Sequence, residues 1–239
     1  MLALVHGFTQ TRRCWAPVAD ELAADHELVL VDAPGHGRSS DVAADLVAGG
    51  ALISETVGAA TYLGYSMGGR FVLHTALERP ELVEGLVLIG ATAGIEDPAE
   101  RARRVAEDEQ RAQRIERIGV EAFVDEWLRL PLFAGLPAEA ACRDERLENR
   151  ADGLAASLRL AGTGTQLPTW ERLGELTMPV LVVAGADDTK FVALGHRMAT
   201  AIGPNAAFET VPGAGHTAHL EQPERFLSLL RRWLAAHHL

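Results

Sequence analysis

Three short segments carry side chains that could act together on a substrate. Gly64-Tyr65-Ser66-Met67-Gly68 has the form G-x-S-x-G. Between a strand and a helix, such a turn strains the serine backbone and exposes the hydroxyl at the edge of the sheet. A serine of ordinary acidity is a poor nucleophile or base, so it needs a histidine, and the histidine needs an orienting carboxylate. Gly185-Ala-Asp-Asp188 and Gly213-Ala-Gly-His216 follow in that order. Asp188 is taken as the acid because the Gly-x-x-Asp spacing puts it past a tight turn; Asp187 is the alternative. His6-Gly7-Phe8 adds a loop whose Phe8 N–H would converge with that of Met67. Two such donors stabilise charge developing on a substrate oxygen by roughly 3 kcal/mol each. His6 reads as a packed histidine, and His36, His196, His219 and His237-His238 show no partner pattern. No spacing of His, Cys or Asp suits a metal ion, and no cofactor is implied.

The elements around these segments set where they meet. Leu2–Val5, Leu28–Val31, Ala60–Leu63, Leu86–Ile89, Val180–Val183 and Ala207–Val211 are short apolar runs that predict strands. Helical periodicity over Trp15–Ala24, Leu46–Val57, Arg70–Glu78, Leu194–Ile202 and Pro223–Leu234 separates them. Strands alternating with helices predict a parallel sheet covered on both faces, with Ser66, Asp188 and His216 on loops at one edge. From Glu96 to Gly162 the strand rhythm stops. Val105, Ile115, Ile118, Phe123, Trp127, Leu130 and Leu158 are the apolar members of a helical pattern there. The expected organisation is a core of residues 1–95 and 163–239 carrying a helical cap at 96–162.

Composition excludes several classes. With 239 residues, 48% hydrophobic and 23% charged, the chain can bury a core, so disorder is excluded. A net charge of −11 argues against nucleic acid or an anionic membrane as the main partner. No apolar run approaches the roughly 20 residues that span a bilayer. Cys14 and Cys142 form no disulfide framework and read as small hydrophobes, in keeping with a reducing cytoplasm. Of 22 basic residues, only Lys190 is lysine.

His6-Gly7-Phe8, Asp32-Ala-Pro-Gly-His-Gly-Arg-Ser39, the Ser66 turn and His216 together resemble the α/β-hydrolase superfamily. More narrowly, the chain resembles the 2-succinyl-6-hydroxy-2,4-cyclohexadiene-1-carboxylate synthases of menaquinone biosynthesis. That likeness rests on Gly68-Gly69-Arg70, Trp127 before Pro131-Leu-Phe133, Ser157–Gln166, Asp188-Thr-Lys-Phe191 and Gly215–Pro223. It implies an α/β-hydrolase fold and the elimination of pyruvate from 2-succinyl-5-enolpyruvyl-6-hydroxy-3-cyclohexene-1-carboxylate. Ser66, activated by His216, would remove a ring proton without an acyl-enzyme. The substrate carries several carboxylates, which call for arginines. Arg70 lies one helical turn past Ser66. The resemblance adds Arg104, Arg146, Tyr65 and Trp127 as substrate-binding positions, and matches Lys190 and Arg159 as well. Between Glu96 and Arg159 stand 11 arginines and 15 acidic residues, so most of those arginines are expected in surface ion pairs. The superfamily sheet usually opens with further antiparallel strands, whereas here the first strand already leads to His6, so either those edge strands are absent or the chain begins late.

Two other readings share the same residues. A carboxylesterase or carbon–carbon bond hydrolase would use Ser66 as a nucleophile, form a covalent adduct and depend little on Arg104 or Arg146. A non-catalytic receptor would bind a ligand tightly without turnover. Oligomeric state has no signal in the sequence.

Overall fold

The computed structural model describes residues 1–239. Six strands form one sheet: β1 (Leu2–Val5), β2 (Leu28–Val31), β3 (Ala60–Tyr65), β4 (Val83–Ile89), β5 (Val180–Gly185) and β6 (Ala206–Val211). Their order is β2-β1-β3-β4-β5-β6, and every pairing is parallel. β1 pairs through Leu2–Val5 with Leu28–Val31 on one side and Thr61–Gly64 on the other. All four of its residues are buried, as expected of an inner parallel strand covered on both faces. β2 and β6 are the sheet edges.

Alternation along the strands builds two cores. Ala3, Val5, Tyr62, Leu86 and Val180 pack on one face with α2 (Leu46–Val57), α3 (Met67–Glu78) and α7 (Thr189–Ile202). Leu2, Leu4, Leu63, Val87 and Leu181 pack on the other with α1 (Ala16–Leu22) and α9 (Pro223–His237), which follows the single turn α8 (Ala218–Glu221). From β1 the chain moves outward to β2, then returns to place β3 on the opposite side of β1. The strand order therefore reverses at the carboxyl ends of β1 and β3, where open parallel sheets bind ligands.

Between β4 and β5 run α4 (Pro98–Leu128), the single turn α5 (Arg143–Arg146) and α6 (Ala151–Ala161). Gly119, at φ 79° and ψ 170°, breaks α4 into two arms. Ala112, Ile115, Phe123, Leu154, Ala155 and Leu158 close between α4 and α6, with Phe8 and Trp127 against them. This small core is joined to the β1 loop through Phe8. Val105 and Leu130, expected among the apolar contacts, are instead exposed: the helical period carries Val105 to the solvent side of α4, and Leu130 lies past the end of that helix in extended backbone. Cys14 is buried and Cys142 half-buried, both as free thiols. No helix is long and apolar enough to cross a membrane.

Candidate active site

Ser66 follows β3 and caps α3 at φ 53° and ψ −108°, the strained positive-φ conformation that a sharp strand-to-helix turn requires. The turn packs tightly on β1. A Cβ on Gly68 would run into the backbone of Val5 and His6. Asp188 follows β5 as the N-cap of α7, its Oδ1 accepting from the Phe191 N–H at 3.2 Å. His216 lies on the loop after β6 and is 4% exposed. His216 Nδ1–H donates to Asp188 Oδ2 at 2.9 Å. That bond leaves Nε2 to accept the Ser66 hydroxyl at 3.2 Å. Three loops from distant parts of the chain thus form one continuous hydrogen-bonded relay. Asp187 is exposed and makes no such contact.

The sequence did not single out Glu221, which fastens the histidine loop. Its Oε2 accepts from Gly215 N at 2.7 Å, and its Oε1 from Thr217 N and Thr217 Oγ1, both at 2.9 Å. One carboxylate therefore holds the chain on both sides of His216. A motif with His216 five residues before an acid was the available signal, but loop residues carry no periodicity that assigns a partner.

The two expected amide donors lie at the proper ends of their elements. Met67 is the first residue of α3, where helix geometry leaves the N–H free. Phe8 belongs to the loop after β1 and packs edge-on against Trp127 and His36, with ring centroids 5.3 and 5.6 Å apart. Two buried histidines shape that loop as neutral groups. His6 Nε2 accepts from Ala33 N at 3.0 Å, so its Nδ1–H donates to the Gly7 carbonyl. His36 Nε2 accepts from Thr9 N at 3.3 Å. Burial pulls the pKa of His6 down to about 4 and that of His36 to about 3.

A cavity of about 660 Å³ opens over Ser66 and His216. Arg70, Arg104, Lys190 and Arg197 line it. Arg70 is 7% exposed and donates through Nη1 to the Ala161 carbonyl at 2.7 Å. Burial, with Arg104 nearby, lowers its pKa to about 10, so it stays charged at neutral pH. Arg104 Nε donates to the buried Asp108 at 2.8 Å, leaving its other nitrogens available. Lys190 has no carboxylate within ion-pair reach. Arg197 is already committed, bidentate to Glu96 and stacked 3.8 Å over Trp170. Glu96, Asp97 and Glu100 line the same cavity but are exposed. No group of three or more His, Cys, Asp or Glu side chains is arranged to hold a metal ion.

Two expected cavity residues are not brought there. Arg146 is 1% exposed and lies outside the cavity lining, with its Nε donating to the Ala141 carbonyl at 2.8 Å. Tyr65 is buried behind the site, its ring 5.4 Å from that of His216 and 4.6 Å from that of His219. As the last residue of β3 it points to the α1/α9 side of the sheet, and burial raises its hydroxyl pKa. Trp127 does line the cavity. Arg159 stands on the surface, paired to Glu109 and Glu116.

A profile of the alpha/beta hydrolase family matches residues 2–229. The chain belongs to the alpha/beta hydrolase family. Among its relatives, a Bacillus subtilis protein provisionally named as a 2-succinyl-6-hydroxy-2,4-cyclohexadiene-1-carboxylate synthase is 35% identical, covering 97% of this chain and 89% of the relative. The Serratia proteamaculans synthase of the same name is 31% identical, over 98% of this chain and 92% of the relative. Among solved structures, MenH from S. aureus superposes on this alpha/beta hydrolase with a TM-score of 0.93 at 31% identity, covering 100% and 94% of the two chains. A thermophilic esterase from Thermogutta terrifontis, solved with malate bound, gives 0.83 at 27% identity, covering 100% and 90%.

Proposed function

We propose that this protein is a carbon–oxygen lyase that eliminates pyruvate from 2-succinyl-5-enolpyruvyl-6-hydroxy-3-cyclohexene-1-carboxylate to give 2-succinyl-6-hydroxy-2,4-cyclohexadiene-1-carboxylate. Its setting is the reducing cytoplasm, where Cys14 and Cys142 remain thiols. The observation that carries the reading is charge. Arg70, Arg104 and Lys190 share one cavity with the Ser66–His216–Asp188 relay. A site built for neutral esters gains nothing from three cations, whereas a polycarboxylate substrate is held by them.

The catalytic residues are Ser66, His216 and Asp188. His216 Nε2 takes the Ser66 proton, and the resulting alkoxide takes a proton from the substrate ring. Asp188 holds the imidazole in the tautomer that allows this and stabilises its charged form. The electron pair released at carbon spreads onto a substrate oxygen, which the Phe8 and Met67 amides hold. Collapse of that charge forms the second ring double bond and breaks the carbon–oxygen bond to the enolpyruvyl group. The ring proton has restored the Ser66 hydroxyl, and the proton on His216 passes to the departing enolate, which becomes pyruvate. Serine ends as it began, with no acyl-enzyme. Trp127 closes one wall of the cavity.

Charge anchoring makes a measurable difference between the competing chemistries. A charged hydrogen bond contributes about 1.5–3 kcal/mol, so Arg70→Ala is expected to raise KM for the enolpyruvyl substrate roughly 10- to 100-fold. Its effect on any hydrolysis of neutral p-nitrophenyl esters is expected to stay within about threefold. Faster turnover of the neutral esters than of the enolpyruvyl substrate, with a covalent Ser66 adduct in intact-protein mass spectra, would establish the esterase instead. Glu221→Ala is expected to lower kcat by on the order of 10- to 100-fold with little change in KM, because a displacement of about 1 Å at a reacting group has that cost. An unchanged kcat in this variant would show that Asp188 alone positions the imidazole.

A further inference from the structure

Phe8 owes its place to an awkward neighbour. Thr9 sits at φ 67°, a conformation that a β-branched residue adopts only when its surroundings over-determine it. Every polar atom of Thr9 is engaged. Its N–H donates to His36 Nε2 at 3.3 Å. Its carbonyl accepts from Asn149 Nδ2 at 2.6 Å, and its hydroxyl oxygen accepts from Arg146 Nη1. The same Arg146 nitrogen reaches the Phe8 carbonyl at 3.4 Å. Two of the three anchors on Thr9 thus come from the helical segment between β4 and β5.

That segment is itself well held. Arg146 and Asn149 are 1% and 5% exposed. Arg146 Nε is spent on the Ala141 carbonyl. Asn149 Nδ2 also donates to the Arg146 carbonyl at 2.9 Å, and its Oδ1 accepts from Gly37 N at 2.8 Å. Asn149 therefore ties three loops together: the one after β1, the one after β2 and its own. Rotation of the Phe8–Thr9 peptide would have to break the Arg146 contact to the Phe8 carbonyl and the His36 contact to the Thr9 N–H, while Asn149 holds the carbonyl of the next peptide.

We infer that Arg146 and Asn149 are positioning residues that aim the Phe8 N–H at the reacting oxygen, so that the helical segment sets the geometry of the oxyanion site without touching substrate. This rests on the elimination reading above. It gives Arg146 a role opposite to carboxylate binding: it acts on the rate of the chemical step and not on substrate affinity.

Asn149→Asp keeps the shape and the acceptor for Gly37, but turns a donor against the Thr9 carbonyl into a repelling oxygen. It is expected to lower kcat for pyruvate elimination 10- to 100-fold with KM within twofold, and to speed amide hydrogen exchange at Thr9 and Gln10. Arg146→Met, which keeps bulk and removes the donors, is expected to do the same. In a Thr9→Gly background, where the left-handed backbone needs no clamp, Asn149→Asp is expected to cost less than threefold, since residues of one network are not additive. A KM raised tenfold or more by Arg146→Met with kcat retained would make Arg146 a substrate ligand and overturn the inference. So would unchanged kcat and unchanged exchange in Asn149→Asp, which decides the matter should Arg146→Met not fold. Absence of pyruvate elimination by the wild-type protein would reject the functional reading alone, since the exchange measurement reads the clamp without any substrate.

Discussion

Ser66→Ala is expected to lower kcat for pyruvate elimination on the order of a thousandfold while KM moves less than about twofold. The size follows from general base catalysis, which contributes about 10²- to 10⁴-fold when the base is within hydrogen-bond reach. The 3.2 Å contact between Ser66 Oγ and His216 Nε2 places the hydroxyl in that range. KM is expected to hold because the substrate's charges fall to Arg70, Arg104 and Lys190, none of which depends on the hydroxyl. His216→Ala is expected to lose a similar factor, and the double variant little more, since the two residues act as one unit. Steady-state kinetics on the three variants checks this. A Ser66→Ala enzyme that retained a tenth or more of its kcat would make His216 the direct base and leave the serine without a part in proton transfer.

The second large effect concerns stability in acid. Burial holds four histidines neutral in the folded chain: His6 and His74 at about 4, His36 and His219 at about 3, against an ordinary value of 6.5. The unfolded chain binds protons at these positions from pH 6.5 downward, whereas the folded chain does not until pH 4 or 3. Stability is therefore complete above pH 6.5 and lost as pH falls through the window from 6.5 towards 3. Each histidine contributes at most about 1.4 kcal/mol per pH unit. Together they are expected to remove several kcal/mol by pH 5, a large share of the 5–15 kcal/mol typical of a domain. Urea denaturation at pH 7.5, 6 and 5 checks this, with a steep drop in midpoint expected below pH 6.5. A midpoint that stayed level to pH 5 would mean that these side chains are protonated or solvated in the folded protein.

Much of this site was legible because strand ends are punctuated. Gly64, Gly185 and Gly213 mark the loops of Ser66, Asp188 and His216, and a parallel sheet brings all such loops to one edge. Strand limits were less so: β3 runs on to Tyr65, past the glycine expected to end it, and α3 begins three residues before Arg70. Gly64, Gly68 and Gly69 allow close packing there, Gly68 on the end of β1, Gly64 on the first turn of α3 and Gly69 on Ala91, which local propensity does not report. Tyr65 lies away from its expected place for a related reason. One position along a strand exchanges one face of the sheet for the other, so a neighbour of the serine need not share its cavity.

Arg146 shows where side-chain type ceases to inform. Eleven arginines in one helical segment are alike in sequence, and only packing separates Arg104 at the cavity, Arg159 in a surface pair and Arg146 in the interior. Lys190 could not be placed from sequence either, and it proves to line the cavity without an acidic partner. Glu221 carries no signal in the sequence because its partners are two backbone amides and a neighbouring hydroxyl, which most loops offer.

The most direct measurement follows pyruvate and the conjugated diene as they appear from the enolpyruvyl cyclohexene substrate, generated in situ because it decays unaided. With purified protein, both products are expected to form together, in equal amounts, at a rate far above the spontaneous background and proportional to enzyme concentration. A rate indistinguishable from that background, under conditions where the protein is folded, would contradict the view that its serine and the three cations beside it serve this elimination.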